Sequence, residues 1–92
     1  MKFEWDEEKS ESNFKKHHVR FEEAQTIFLD SYSIEFYDES HSEKEDRFIR
    51  IGLSAKLRVL LVVYCERDSE HIRIISARKA EIEEKKIYEK GI

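Results

Sequence analysis

The spacing of apolar positions divides the chain into helical stretches at its two ends and alternating or continuous apolar stretches between them. Asp6 can cap a helix running to about His17, although its apolar residues are few: Trp5 just ahead of it and Phe14 within it. Phe21, Ala24, Ile27 and Phe28 then share one stripe, predicting a second helix over about Phe21 to Leu29. After Asp30 the period changes to two. Ile34 and Phe36 alternate with Glu35 and Tyr37 in a first strand, and the polar run Asp38 to Glu45 breaks the chain. Phe48 to Leu53 reads as a second strand, with Ser54-Ala55-Lys56 as a turn. The continuously apolar Val59 to Cys65 reads as a central strand covered on at least one face. A polar turn over Glu66 to Glu70 leads into a fourth strand, His71 to Ala77, and from about Arg78 the spacing is helical again as far as Gly91, a natural stop.

The order α-α-β-β-β-β-α predicts an α+β domain. Its core would be a four-stranded antiparallel sheet carrying two N-terminal helices and one C-terminal helix. Ninety-two residues leave room for one core, so a single domain over 1–92 is expected. The longest apolar run, Val59 to Cys65, has seven residues, against about 20 needed to cross a bilayer. The opening Met-Lys-Phe-Glu-Trp-Asp contains no apolar signal segment, and the single cysteine can form no internal disulfide. A cytoplasmic protein with no membrane contact is the expectation.

Charge changes the picture. Residues 1–46 carry 6 Lys/Arg against 14 Asp/Glu, whereas residues 47–92 carry 11 against 7. The net charge of −4 therefore conceals a basic half able to face an anion. Adjacent His17 and His18 point about 100° apart on a helix and do not chelate, and no His-x-x-x-His, Cys-x-x-Cys or glycine-rich phosphate loop occurs, so neither a metal nor a cofactor is expected. Lys9, Asn13 and His17 follow Trp5 at four-residue intervals, a polar face where apolar packing is usual. Such a face either anchors the helix through hydrogen bonds to neighbouring backbone or brings Lys16 and His17 near a phosphate.

The last helix poses a similar choice. Glu84 falls on the stripe of Ala80, Ile87 and Tyr88, where a carboxylate needs a partner, and Arg73 and Arg78 are close in sequence. They could form a buttressing bridge or a phosphate-facing cleft in which Glu84 orients arginines or moves a proton. Whether Arg47 and Arg73 share a face depends on strand register, which the sequence does not state. With Arg50, Arg58 and Arg67 they favour an anionic ligand. No aromatic stacking platform is evident, and Phe48 and Tyr64 read as core.

These residues also carry a resemblance. Phe3-x-Trp5-Asp6, Lys9, Asn13 and Lys16-His17, then Phe21, Ala24, Phe28 and Asp30, Arg47 and Gly52, and the closing Arg73-Ile74-Ile75-Ser76-Ala77-Arg78-x-Ala80 with Glu84 and Tyr88 resemble the BrnT family of toxins from type II toxin–antitoxin systems. His18 stands where that family usually has glycine, Arg20 where it often has a small capping residue, and Lys85 where an arginine is common. The first two departures bear on the loop between the helices.

The resemblance implies a RelE-like ribonuclease fold and metal-independent RNA cleavage that arrests growth. It also implies a BrnA-type ribbon-helix-helix antitoxin as partner, in a heterodimer or 2:2 heterotetramer, with operator DNA reached only through the antitoxin. Cleavage needs a base for the 2′-OH, stabilisation of phosphate charge and protonation of the leaving oxygen. The expected roles are Arg73 and Arg78 at the phosphate, Glu84 or His17 as base, and Tyr88 stacking or donating a proton. Arg47, Lys16 and Arg67 would bind RNA. The competing expectation is a non-catalytic co-repressor that docks on a DNA-binding partner.

Overall fold

The computed structural model describes residues 1–42 and 44–91; Glu43, within the expected polar break, and Ile92 lie outside them. A short strand β1 (Lys2–Glu4) precedes helix α1 (Glu7–His17). Helix α2 (Phe21–Ala24) continues directly into a 3₁₀ segment, Gln25–Leu29. Strands β2 (Ile34–Tyr37), β3 (Arg47–Leu53), β4 (Val59–Asp68) and β5 (His71–Lys79) follow, and helix α3 (Ile82–Lys90) closes the chain.

The sheet has five strands, not the expected four, in the order β1-β5-β4-β3-β2. It is also mixed, because β1 pairs parallel to β5, placing Phe3 beside Ile72, while the other pairs are antiparallel. Two boundaries move as well. The expected second helix becomes 3₁₀ after Ala24, and β5 runs to Lys79, so Arg78 lies on the last strand and not at a helix start. The long apolar run does form the middle strand.

One face of the sheet carries the core. Leu60, Val62 and Tyr64 of β4 and Ile74 and Ala77 of β5 pack against Val19, Phe21, Ala24 and Ile27 from the helical layer. Burying a side chain of this size contributes about 1.5–3 kcal/mol. The 3₁₀ segment and the turn after it lie so close to β3 that a Cβ on Gly52 would sit 3.1 Å from the Ile27 Cβ and 2.8 Å from that of Ser33. Asn13 accounts for the polar face of α1. Its amide donates to the Val19 and Ala77 carbonyls, both at 2.9 Å, and its oxygen accepts from the Ala77 N–H at 3.1 Å. A side chain thus completes the ladder of β5 beyond the reach of β1.

The opposite face is only partly covered. Helix α3 lies over it, tied by the Tyr88 hydroxyl donating to Asp30 at 2.6 Å, and Asp30 accepts from the Leu53 N–H at 2.8 Å.

Candidate functional site

Register decides which arginines meet. Arg47 on β3 and Arg73 on β5 both pair with Cys65 of β4, so the two guanidinium groups project from one face on either side of a buried thiol. Arg78 pairs with Leu61 on that same face. This would not follow from alternation, since Arg73 and Arg78 are an odd number of residues apart. The cause is a bulge: Val63 pairs with Ser76 and Tyr64 with Ile74, leaving Ile75 as an extra residue that resets the phase of β5. Arg47, Arg73, Ser76 and Arg78 consequently share the face partly covered by α3.

The charges on this face are unevenly matched. Of the seven arginines in the chain, Arg50, Arg58, Arg67 and Arg78 are ion-paired, to Glu35, Glu23, Glu45 and Glu84 respectively. Arg20 lies over the Phe14 ring at 3.9 Å. Among the described residues, Arg47 and Arg73 have no ion-pair partner, although by register Glu4 sits beside Arg73. Arg47 Nε is buried with no hydrogen-bond partner among them, and the side chain borders a cavity of about 350 Å³ lined with Ser40, His41, Lys44, Glu45 and Cys65. A cation without an ion pair beside a cleft suits an anion.

The expected proton-transfer groups are differently placed. Glu84 meets Arg78 through two parallel bonds of 2.8 Å and also accepts from the Glu81 N–H at 2.8 Å, closing the first turn of α3. The Arg78 guanidinium holds its carboxyl below the usual range, so it stays ionised. The bridge is a buttress, and it is built with Arg78 instead of Arg73. Tyr88 is committed to Asp30 near the Leu53 end of β3, six residues and about 20 Å of strand from Arg47. Burial and the Asp30 carboxylate push its phenol up to about 12.

His17 and Lys16 end α1, where basic side chains suit the helix dipole. Desolvation lowers the pKa of His17, and the charges of Lys16 and Arg78 lower it further, which favours a neutral imidazole near the Arg78 end of the face. Arg67 is exposed, on a second irregularity of β4, and reaches Glu45 at 3.4 Å. The structure therefore brings Arg47 and Arg73 together, sets Arg78, Glu84 and His17 beyond them, and separates Tyr88. Ser76 joins the face without having been singled out from the sequence, because only the bulge puts it there. Among the described residues no three His, Cys, Asp or Glu side chains group to hold a metal ion.

This arrangement is an α+β domain of three helices on a five-stranded mixed sheet. A family model described as "Ribonuclease toxin, BrnT, of type II toxin-antitoxin system" matches residues 5–84. The chain is similar to the crystal structure of the Brucella abortus ribonuclease toxin BrnT, with 28% identity and a TM-score of 0.70 over 88% of this chain and 97% of that one. No curated protein matches the chain. It belongs to the BrnT family of ribonuclease toxins, and membership of a type II system implies an antitoxin partner. No helix among the described residues is long and apolar enough to cross a membrane.

Proposed function

We propose that the chain is a metal-independent endoribonuclease of the RelE-like kind, acting in the cytoplasm and neutralised by a BrnA-type antitoxin. The observation that carries this reading is the pair Arg47 and Arg73, on one face, flanking Cys65, with no ion pair to a carboxylate among the described residues. Fixed cations in a partly dehydrated site gain most where charge grows in the transition state. Arg73 and Arg47 hold the scissile phosphate, and Arg78, braced by Glu84, stabilises it from the second side. His17 takes the proton from the 2′-OH, since its lowered pKa keeps it neutral at pH 7. The 2′ oxygen bonds to phosphorus as the bond to the 5′ oxygen breaks, and the departing oxygen, stabilised by Lys16 and Arg78, takes its proton from solvent water. Glu84 acts through Arg78, and Tyr88 positions α3. Arg67 extends the RNA path at the sheet margin. The antitoxin, with a ribbon-helix-helix domain, would carry the complex to operator DNA in a heterodimer or a 2:2 assembly.

The test is growth and total-RNA integrity after controlled induction, followed by cleavage with purified protein in excess chelator. Wild type is expected to arrest growth and cleave RNA in chelator, and Arg73→Ala to lose at least 100-fold of that activity, a cost of about 2.7 kcal/mol, while remaining soluble and folded. His17→Ala should remove the acid limb of the pH–rate profile, which in wild type falls below a histidine's ordinary value of about 6.5. Full cleavage by Arg73→Ala would overturn the assignment. Intact RNA and normal growth with soluble wild type would overturn the enzyme reading in favour of a co-repressor or an inactivated family member.

A further inference from the structure

We infer that Phe36 is a stacking platform for a nucleobase of the RNA strand, on an apolar strip between two sets of arginines; the inference rests on the ribonuclease reading of the same face. Register pairs Phe36 with Ile49, Ile49 with Val63 and Val63 with Ser76, so these four side chains form one row across β2 to β5. Two residues along the strands in one direction, about 7 Å away, lies the row Arg47–Cys65–Arg73. The same distance in the other direction lies the row Ile51–Leu61–Arg78.

Coverage stops between the rows. Under α3, Ile51 and Leu61 are 3% and 9% exposed, whereas Phe36 is 39% exposed and Ile49 and Val63 are only half-buried. The open strip is therefore apolar across β2 to β4, aromatic at its β2 end, hydroxylated at Ser76 and flanked by cations. A single RNA strand has that character in reverse: flat apolar bases strung between phosphates.

Phe36 differs from its neighbour Tyr37, which faces the other side of the sheet, packs edge-on against Phe48 at 5.5 Å and donates to Asp46. Tyr37 ends a continuous chain of rings through Phe48, Tyr64, Phe28 and Phe3. Phe36 makes no ring contact among the described residues. The flanking charge selects nucleic acid over a protein segment. Glu84 is bound to Arg78, Asp38 is hydrogen-bonded to Ser40 and His41, and Arg47 and Arg73 form no ion pair among the described residues.

The experiment measures binding of a short single-stranded 2′-O-methyl oligonucleotide, which cannot be cleaved, beside inorganic polyphosphate, which has no bases. Phe36→Ala and the volume-keeping Phe36→Leu should each weaken the oligonucleotide about ten-fold and leave polyphosphate binding and the melting temperature unchanged. Phe36→Trp should restore affinity, with its emission quenched by the oligonucleotide but not by polyphosphate; wild type, whose only tryptophan is Trp5, supplies the background. Wild-type affinity in Phe36→Leu, or an unquenched Phe36→Trp, would overturn the proposal. So would Phe36→Ala that binds oligonucleotide normally but loses the antitoxin, which would make the strip a protein interface. If Arg73→Ala also binds both probes like wild type, the ribonuclease reading of the face fails, and not the stacking alone.

Discussion

His18 occupies a conformation that favours glycine, with φ of 59° and ψ of 32° at the C-terminal cap of α1. Its backbone N–H donates to the Phe14 carbonyl and its ring meets the Phe14 ring edge-on, so the turn that ends the helix is closed despite the side chain. Left-handed backbone costs an ordinary residue about 1 kcal/mol. Arg20, at the start of α2, supplies no side-chain cap and stacks on Phe14 instead. The two departures from the family pattern thus converge on one ring. His18→Gly is expected to stabilise the fold by about 0.5–1 kcal/mol, read as a rise of a few degrees in melting temperature. A fall would mean that the Phe14 contact outweighs the strain. Leu57, also at positive φ in the β3–β4 turn, is 79% exposed and has no comparable ring contact.

At the scale of elements, close approach governs. Gly52 lets the 3₁₀ segment lie on β3, and Gly52→Ala should cost about 1–3 kcal/mol through overpacking, measured by denaturant unfolding, because both near contacts are rigid Cβ atoms. An unchanged midpoint would show that the segment lifts freely. Helices α1 and α3 and the strands β2 to β5 were legible because caps and apolar periods are local. The 3₁₀ segment was not legible as such, because Ile27 and Phe28 continue the apolar stripe that Phe21 and Ala24 begin in α2. Strand β1 was not legible, since three residues with one half-buried ring become a strand only by pairing with a segment some seventy residues away. The candidate site was legible as a list of residues but not as a place. Residue types pointed to Arg47, Arg73 and Arg78; the bulge at Ile75, which depends on tertiary pairing, put them on one face. Glu84 was correctly suspected of needing an arginine, while Tyr88 found a partner, Asp30, in a distant loop.

Across the whole molecule, carboxylates join layers. Glu23 links α2 to Ser54 and Arg58 at the β3–β4 turn, Asp30 holds α3 through Tyr88, and Glu84 holds it through Arg78. For Glu23 and Asp30 burial alone would raise the pKa, but their hydrogen bonds bring it below the ordinary value, and Arg78 does the same for Glu84. With folded values below unfolded ones, the unfolded chain takes up protons first as pH falls. The stabilisation is complete above the ordinary carboxylate value of about 4 and is lost progressively below it. Thermal unfolding between pH 7 and pH 3 should show this loss, and Glu84→Gln should be less stable at pH 7 but flatter in acid. An equally steep acid dependence in that variant would remove Glu84 from the linkage.

The Asn13 clamp on Ala77 has a consequence for how this chain behaves when crowded. Val59 to Cys65, seven apolar residues without proline or charge, has the composition of a fibril-forming segment. In the folded molecule it is the innermost strand, and the two outer strands span only three and four residues. The amide of Asn13 occupies the backbone of β5 that β1 leaves bare, so no long ribbon of unpaired N–H and C=O groups is offered to a neighbouring molecule. The hazard of self-association is thereby confined to chains that have not yet folded, and a newly made copy is exposed to it only until β4 is enclosed.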